Sequence, residues 1–124
     1  GSFSVGSTDL SEAARAILDD LGAALMDVGN KVLVEGHTDD VPIRTARFAS
    51  NWELSTARAT TVIAYLLEHF AIRPERLSAA GYAEFHPRVP NASAENRARN
   101  RRVDIVILRP SPPAPIAASR AKTP

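Results

Sequence analysis

At 124 residues and 13.3 kDa the chain has the length of one ordinary domain and not of two. Its 44% hydrophobic and 23% charged residues are the proportions of a folding globular chain, which excludes disorder over most of its length. The net charge of +1 excludes a global field that would gather polyanions or anionic membranes, and the lack of cysteine excludes disulfides, thiolate metal sites and cysteine nucleophiles.

No run approaches the ~18 consecutive apolar residues of a bilayer span, and Gly1-Ser2-Phe3 is no signal peptide; Gly1-Ser2 reads as a cloning remnant, with an upstream segment cut away. Residues 1–9 form this remnant and a lead-in with Phe3 and Val5. From Ser7 to Glu12, capping residues precede an acidic turn and predict a helix whose buried stripe is Leu10, Ala14, Ile17, Leu21, Leu25 and Val28, ended by Gly29-Asn30. Lys31–Glu35, with Val32 and Val34 on one side, reads as a strand running into the polar Gly36-His37-Thr38-Asp39-Asp40. A loop with Pro42 leads to Ser50-Asn51, which cap a second helix with Trp52, Thr56, Ala59, Ile63, Leu66 and Phe70 at the 3.6-residue period as its core face. On that reading Trp52 is a packing residue.

Arg73-Pro74 breaks this helix, Leu77–Tyr82 forms a short strand, and Ser93–Arg99 a helical turn. Val103, Ile105 and Ile107 alternate with Asp104 and Val106 in a last strand. The domain spans 10–109. Residues 110–124 hold five of the nine prolines and no apolar period, and read as a disordered Pro/Ala-rich tail. The order predicts an α+β fold, a βαβαβ-type mixed sheet with helices packed on one face.

Asn51, Ser55 and Arg58 stand at i, i+4 and i+7 in the first turns of the second helix, a polar stripe beside free backbone N–H groups and the positive end of the helix dipole. A ligand carboxylate suits that stripe; the alternative is that Arg58 pairs with Glu53, Glu84 or Asp39 inside the fold. Asp39 at a strand end offers an acceptor for a cation, and a carboxylate beside a guanidinium makes a site for a zwitterion, although Asp39-Asp40 also suits a solvated turn. Thirteen of the 15 basic residues are arginine, four of them between Arg97 and Arg102. Phosphate binding would use such a cluster, but the balanced charge and 6% aromatic content argue against a nucleic-acid partner. His37, Asp39, His69 and His86 match no closed metal motif, and neither a nucleophilic triad nor a phosphate loop is present, so no metal, cofactor or catalysis is expected.

Gly36-His37-Thr38-Asp39, Asn51-x-x-Leu54-Ser55-x-x-Arg58-Ala59, Arg76-Leu77-Ser78-x-x-Gly81-Tyr82, and Asn91 with Arg97-Ala98-x-Asn100-Arg101-Arg102-Val103 together resemble the OmpA-like C-terminal domain in order and spacing over residues 31–108. That resemblance implies non-covalent binding of peptidoglycan, with the diaminopimelate of a stem peptide held between Asp39 and Arg58, Thr38, Asn51 and Leu54 lining the pocket, and Arg97 and Arg101 at its edge. If the pair serves only the ligand, Asp39→Ala and Arg58→Ala weaken binding and leave stability nearly unchanged. The long gap between Asp39 and Arg58, with Val41-Pro42-Ile43 and Phe48-x-Ser50-Asn51-Trp52-Glu53, resembles flagellar stator B subunits of the MotB type. This implies a periplasmic wall anchor for a motor stator, a homodimer, tethered to the inner membrane by a missing N-terminal transmembrane helix that meets the stator A subunit. The alternative is the wall anchor of an outer-membrane protein or lipoprotein. Ala83 stands where many relatives have Gly, which bears on loop geometry.

Overall fold

The computed structural model describes residues 3–110, so Gly1-Ser2 and the expected tail from 111 onward lie outside the described residues. Ser11 starts α1 (Glu12–Met26) by accepting the Ala14 N–H at 3.0 Å. The strand β1 (Val32–Gly36) follows, then the loop and α2 (Asn51–His69), opened by Ser50, whose Oγ accepts from Trp52 N–H at 3.2 Å. Pro74–Arg76 form a 3-10 turn into β2 (Leu77–Gly81), and Ser93 caps α3 (Ala94–Asn100) ahead of β3 (Val103–Ile107).

The sheet order is β2-β1-β3, with β1 and β2 parallel and β1 and β3 antiparallel. Strand period puts Val32, Val34 and Gly36 toward the helices while Leu33 and Glu35 face the other side. The core joins Val32 and Val34 to Leu18 and Leu25 of α1, Ala59, Val62 and Leu66 of α2, and Ile72. This is the expected α+β mixed sheet with α1 and α2 on one face. None of the described helices is long and apolar enough to cross a membrane.

The apolar spacing finds much of both inward faces, with Leu25, Ala59 and Leu66 in the core and Leu10, Leu21, Ile63 and Phe70 packed against it, but Ile17, Val28 and Trp52 are exposed. In α1 the buried residues are Leu18, Gly22 and Leu25, while Ile17 is 60% and Val28 44% exposed. Gly22 selects that face, because a Cβ there would overlap the Phe70 ring. In α2 the buried stripe is Asn51, Leu54, Ser55, Arg58, Ala59, Val62 and Leu66, and Trp52 is not core but 50% exposed. The cause lies at the strand ends: a Cβ on Gly36 would run into the Ser55 carbonyl, and one on Gly81 would sit 2.6 Å from Ser55 Oγ. These two glycines admit the Ser55 turn onto the sheet backbone, and the polar stripe turns inward with it.

Candidate ligand-binding site

Because β1 and β2 are parallel, both deliver their following residues to one end of the sheet, where ligands bind in open α/β folds. His37-Thr38-Asp39 leave β1 there and Tyr82-Ala83-Glu84 leave β2; the first turns of α2 lie across them, and the end of α3 adds Arg101. The loops are sewn together by Thr38 N–H to Ala83 O at 3.0 Å, Tyr82 N–H to Gly36 O at 3.1 Å, and Ala83 N–H to Ser55 Oγ at 3.0 Å.

Asp39 is 4% exposed. Its Oδ1 accepts from the Val41 N–H at 3.0 Å and its Oδ2 from Arg101 Nη1 at 2.8 Å. Arg58 is wholly enclosed at 0% exposure, and it bonds to none of Glu53, Glu84 or Asp39. Its Nε donates to Ser7 O at 2.9 Å, Nη1 to His37 O at 3.0 Å and Nη2 to Ser4 O at 3.1 Å, with the Phe3 ring 4.9 Å below. Burial lowers this guanidinium to about 10, with the Asp39 charge acting to raise it and Arg101 to lower it, so it stays cationic at neutral pH. Arg101 is thus paired with Asp39, while Arg58 feels that carboxylate without bonding to it.

The lead-in segment is part of this site. Phe3 donates its N–H to Arg101 O at 3.0 Å and accepts from Arg101 Nε at 2.7 Å, and both Phe3 and Thr8 are buried at 6% exposure. Nothing in the apolar period of 3–8 signals this, since the contacts are to backbone carbonyls. It also argues against the expectation that Arg58→Ala leaves stability nearly unchanged, because the buried side chain bonds three backbone carbonyls, of which that of Ser4 also accepts from the Ser7 N–H at 3.1 Å.

Thr38, Asp39, Asn51, Leu54, Arg58 and Arg101 gather at this end; Thr38 is 2%, Asn51 5% and Leu54 1% exposed. Arg97 stands apart, its side chain donating only to Asn91 O at 3.5 Å. In the arginine cluster Arg102 is also consumed within the fold, by Asp104 at 3.1 Å and His86 O at 3.1 Å. Asn100, 0% exposed, orders the preceding loop by accepting from Arg88 and Val89 N–H and donating to Val89 O and Asn91 Oδ1.

His37 points away from Asp39, to the other face of the sheet, where Glu35, His37 and Asp104 bring ligand-type atoms within 4.8 Å of one another. Tyr82 Oη already donates to Glu35 at 2.8 Å and Arg102 to both Asp104 oxygens at 3.1 and 3.2 Å, and the Arg102 charge opposes a second cation. His69 is elsewhere, against Tyr65 with ring centroids 4.2 Å apart. The His37 ring is 3% exposed and stacked on Tyr82 at 5.3 Å, and its Nε2 lies 3.4 Å from Asp104 without a hydrogen bond. Burial, then the Arg102 charge, lower its pKa below 6.5, against Asp104 and Glu35, which raise it, with His86 adding a small lowering. The unfolded chain thus binds the proton first, so stability is complete above pH 6.5 and falls as pH drops through the unfolded value toward the folded one. Melts at pH 7 and pH 5 are expected to show a larger loss for the wild type than for His37→Gln; equal losses would assign the acid sensitivity to other groups.

Ala83 sits at φ 53°, wholly buried, between Thr38 and Ser55. The left-handed region costs a residue with a Cβ roughly 1 kcal/mol. Ala83→Gly is expected to raise the melting temperature by a few degrees, and a lower one would mean that the buried methyl contributes more than the strain costs.

The mixed sheet with helices on one face and a charged, enclosed cluster at the strand ends define a small α+β domain whose polar residues converge on one end of the sheet. The chain matches the OmpA family over residues 2–101 and belongs to it. It is 42% identical over 77 residues to Motility protein B of Bacillus subtilis, covering 62% of this chain but only 30% of that protein. Among solved structures, it superposes on the cell wall anchor of the T6SS from Pseudomonas aeruginosa with a TM-score of 0.75 and 40% identity, over 86% of this chain and 73% of that one. The C-terminal domain of Helicobacter pylori MotB superposes with a TM-score of 0.82 and 28% identity, over 89% and 85% of the two chains.

Proposed function

We propose that this domain binds peptidoglycan non-covalently in the periplasm, taking the zwitterionic diaminopimelate stem at the site formed by Thr38, Asp39, Asn51, Leu54, Arg58 and Arg101, with Arg97 at its approach. The observation that carries this reading is the charge imbalance at the strand ends, where Arg101 pairs with the carboxylate of Asp39 and the nearby Arg58 has only backbone carbonyls as partners. A ligand carboxylate balances the excess cation, and a ligand ammonium gives Asp39 a second partner. The carboxylate reaches Arg58 by replacing carbonyl acceptors of the Ser4–Ser7 segment, so that segment shifts on binding. The likeness to a T6SS cell wall anchor supports wall binding.

The parent role is anchoring a flagellar motor stator, supported by 42% identity to a motility protein B. With it go a second copy of this chain, a stator A subunit and a tether to the inner membrane. The second reading, a wall anchor of another envelope protein, is favoured by the 40% identity to the T6SS anchor. Residues encoded upstream of Phe3 separate the two: a transmembrane helix carrying an Asp fits the stator, a lipobox or barrel the other. Wall binding itself is tested by sedimentation with purified peptidoglycan, and a folded domain that stays in the supernatant would end the proposal.

A further inference from the structure

The His37 ring points away from Asp39, and the stem-peptide site leaves it unused. It is buried, and neither of its nitrogens has a hydrogen-bond partner. Groups from every neighbouring element close around it. Glu35 comes from β1, Asp104 from β3, Arg102 from the turn ahead of β3, and Tyr82 and His86 from the loop after β2. Tyr82 lies nearly parallel to the ring, with planes 12° apart, and His86 stands at 6.4 Å from His37 and 4.5 Å from Tyr82.

This slot fits a neutral imidazole and not a charged one. Both acids that an imidazolium could use are engaged, Glu35 by Tyr82 Oη at 2.8 Å and Asp104 by Arg102 Nε at 3.1 and 3.2 Å. A proton adds a second N–H donor beside the Arg102 cation, with the already shared Asp104 as its partner, Oδ2 3.4 Å from Nε2. A charged ring regains water only by displacing the Tyr82 and His86 rings packed on it.

That displacement reaches the binding site through the backbone. The His37 N–H donates to Arg102 O at 2.9 Å, and its carbonyl accepts from Arg58 Nη1 at 3.0 Å. The next N–H, that of Thr38, donates to the carbonyl of Ala83, which directly follows Tyr82, and Asp39 comes next in the chain. We infer that His37 is a proton-sensitive latch of the binding site: its neutral ring, enclosed by Tyr82, His86 and Asp104, holds the Thr38-Asp39 turn in the form that takes ligand, and a proton on it loosens that turn and weakens wall binding. This rests on the wall-binding reading and adds to it a control by pH.

Burial, then the Arg102 charge, lower the ring's pKa below its ordinary 6.5, so the ring is neutral and the site intact above that value, and the loss sets in as pH drops below it. Wall affinity, measured by sedimentation against increasing purified peptidoglycan, is expected to be level above about pH 6.5 and to fall about five- to tenfold by about pH 5. His37→Gln, which takes no proton, is expected to match wild type at neutral pH and to keep that affinity in acid, while His69→Gln keeps the wild-type fall. The coupling is reciprocal, so a saturating soluble diaminopimelate-containing muropeptide is expected to move the NMR titration midpoint of the His37 ring to lower pH. The other two histidines are assigned by their Gln variants, so this measurement decides even if His37→Gln does not fold. A wall affinity that ignores pH, a fall that survives His37→Gln, or a His37 midpoint that the muropeptide leaves in place would overturn the latch and leave wall binding standing. A domain that stays in the supernatant at every pH ends the wall-binding reading, and the latch with it.

Discussion

Arg58→Ala is expected to lower the melting temperature by more than ~10 °C, the largest stability effect of any single change at this site. Its three bonds, to the carbonyls of Ser4, Ser7 and His37, each come from a charged donor, a class that contributes about 1.5–3 kcal/mol per bond. The Ser4 and Ser7 carbonyls can rehydrate by lifting away, whereas His37, 3% exposed, stays buried, so the sum is discounted to about 3–5 kcal/mol. For a domain of this size 1 kcal/mol is about 4–8 °C. Arg58→Lys keeps the charge but loses the planar fork, and should recover only part of the loss. Differential scanning calorimetry on the three proteins measures this. A melting temperature for Arg58→Ala within two or three degrees of wild type would mean that these bonds contribute little and that Arg58 is kept for ligand alone. Its burial therefore makes Arg58 a poor residue for separating binding from folding.

Asp39 separates them. Asp39→Ala is expected to weaken sedimentation with diaminopimelate-containing peptidoglycan by about ten- to a hundredfold, the loss of one or two charge-assisted bonds at ~1.4 kcal/mol per tenfold. The cost to the fold is smaller, because the Arg101 partner is 15% exposed and can turn to water. Asp39→Asn tightens the test: its amide oxygen can still accept from the Val41 N–H, so the loop keeps its cap while the charge offered to a ligand ammonium is gone. A folded Asp39→Asn that sediments like wild type would remove Asp39 from the site.

The elements were legible in the chain because each carries its own local chemistry. Ser11, Ser50 and Ser93 are capping residues and each accepts a helix N–H as such residues do, and the alternation from Val103 to Ile107 matches β3. The motif residues do come together, since Gly36-His37-Thr38-Asp39 and Asn51 to Arg58 meet at one end once two strands are parallel. Periodicity found the core side of each helix but not its exact edge. The α2 column expected through Trp52, Ala59, Ile63 and Leu66 packs inward from Ala59 onward, but in the first turns Leu54, Ser55 and Arg58 are buried in place of Trp52, because Gly36 and Gly81, distant in sequence, leave room for the Ser55 turn.

The partners of Arg58 were beyond the sequence for a related reason. A guanidinium that bonds to backbone carbonyls leaves no side-chain signature at Ser4, Ser7 or His37, and carbonyls are offered by every residue. What the sequence determined by itself was the alphabet of the site, one acid and several arginines at helix and strand ends, because charge and capping are properties of single residues. The pairing of Asp39 with Arg101, the enclosure of Arg58 and the exposure of Trp52 beside Phe85 were decided only in the tertiary structure, because each depends on which distant backbone comes close enough to exclude water or to admit it.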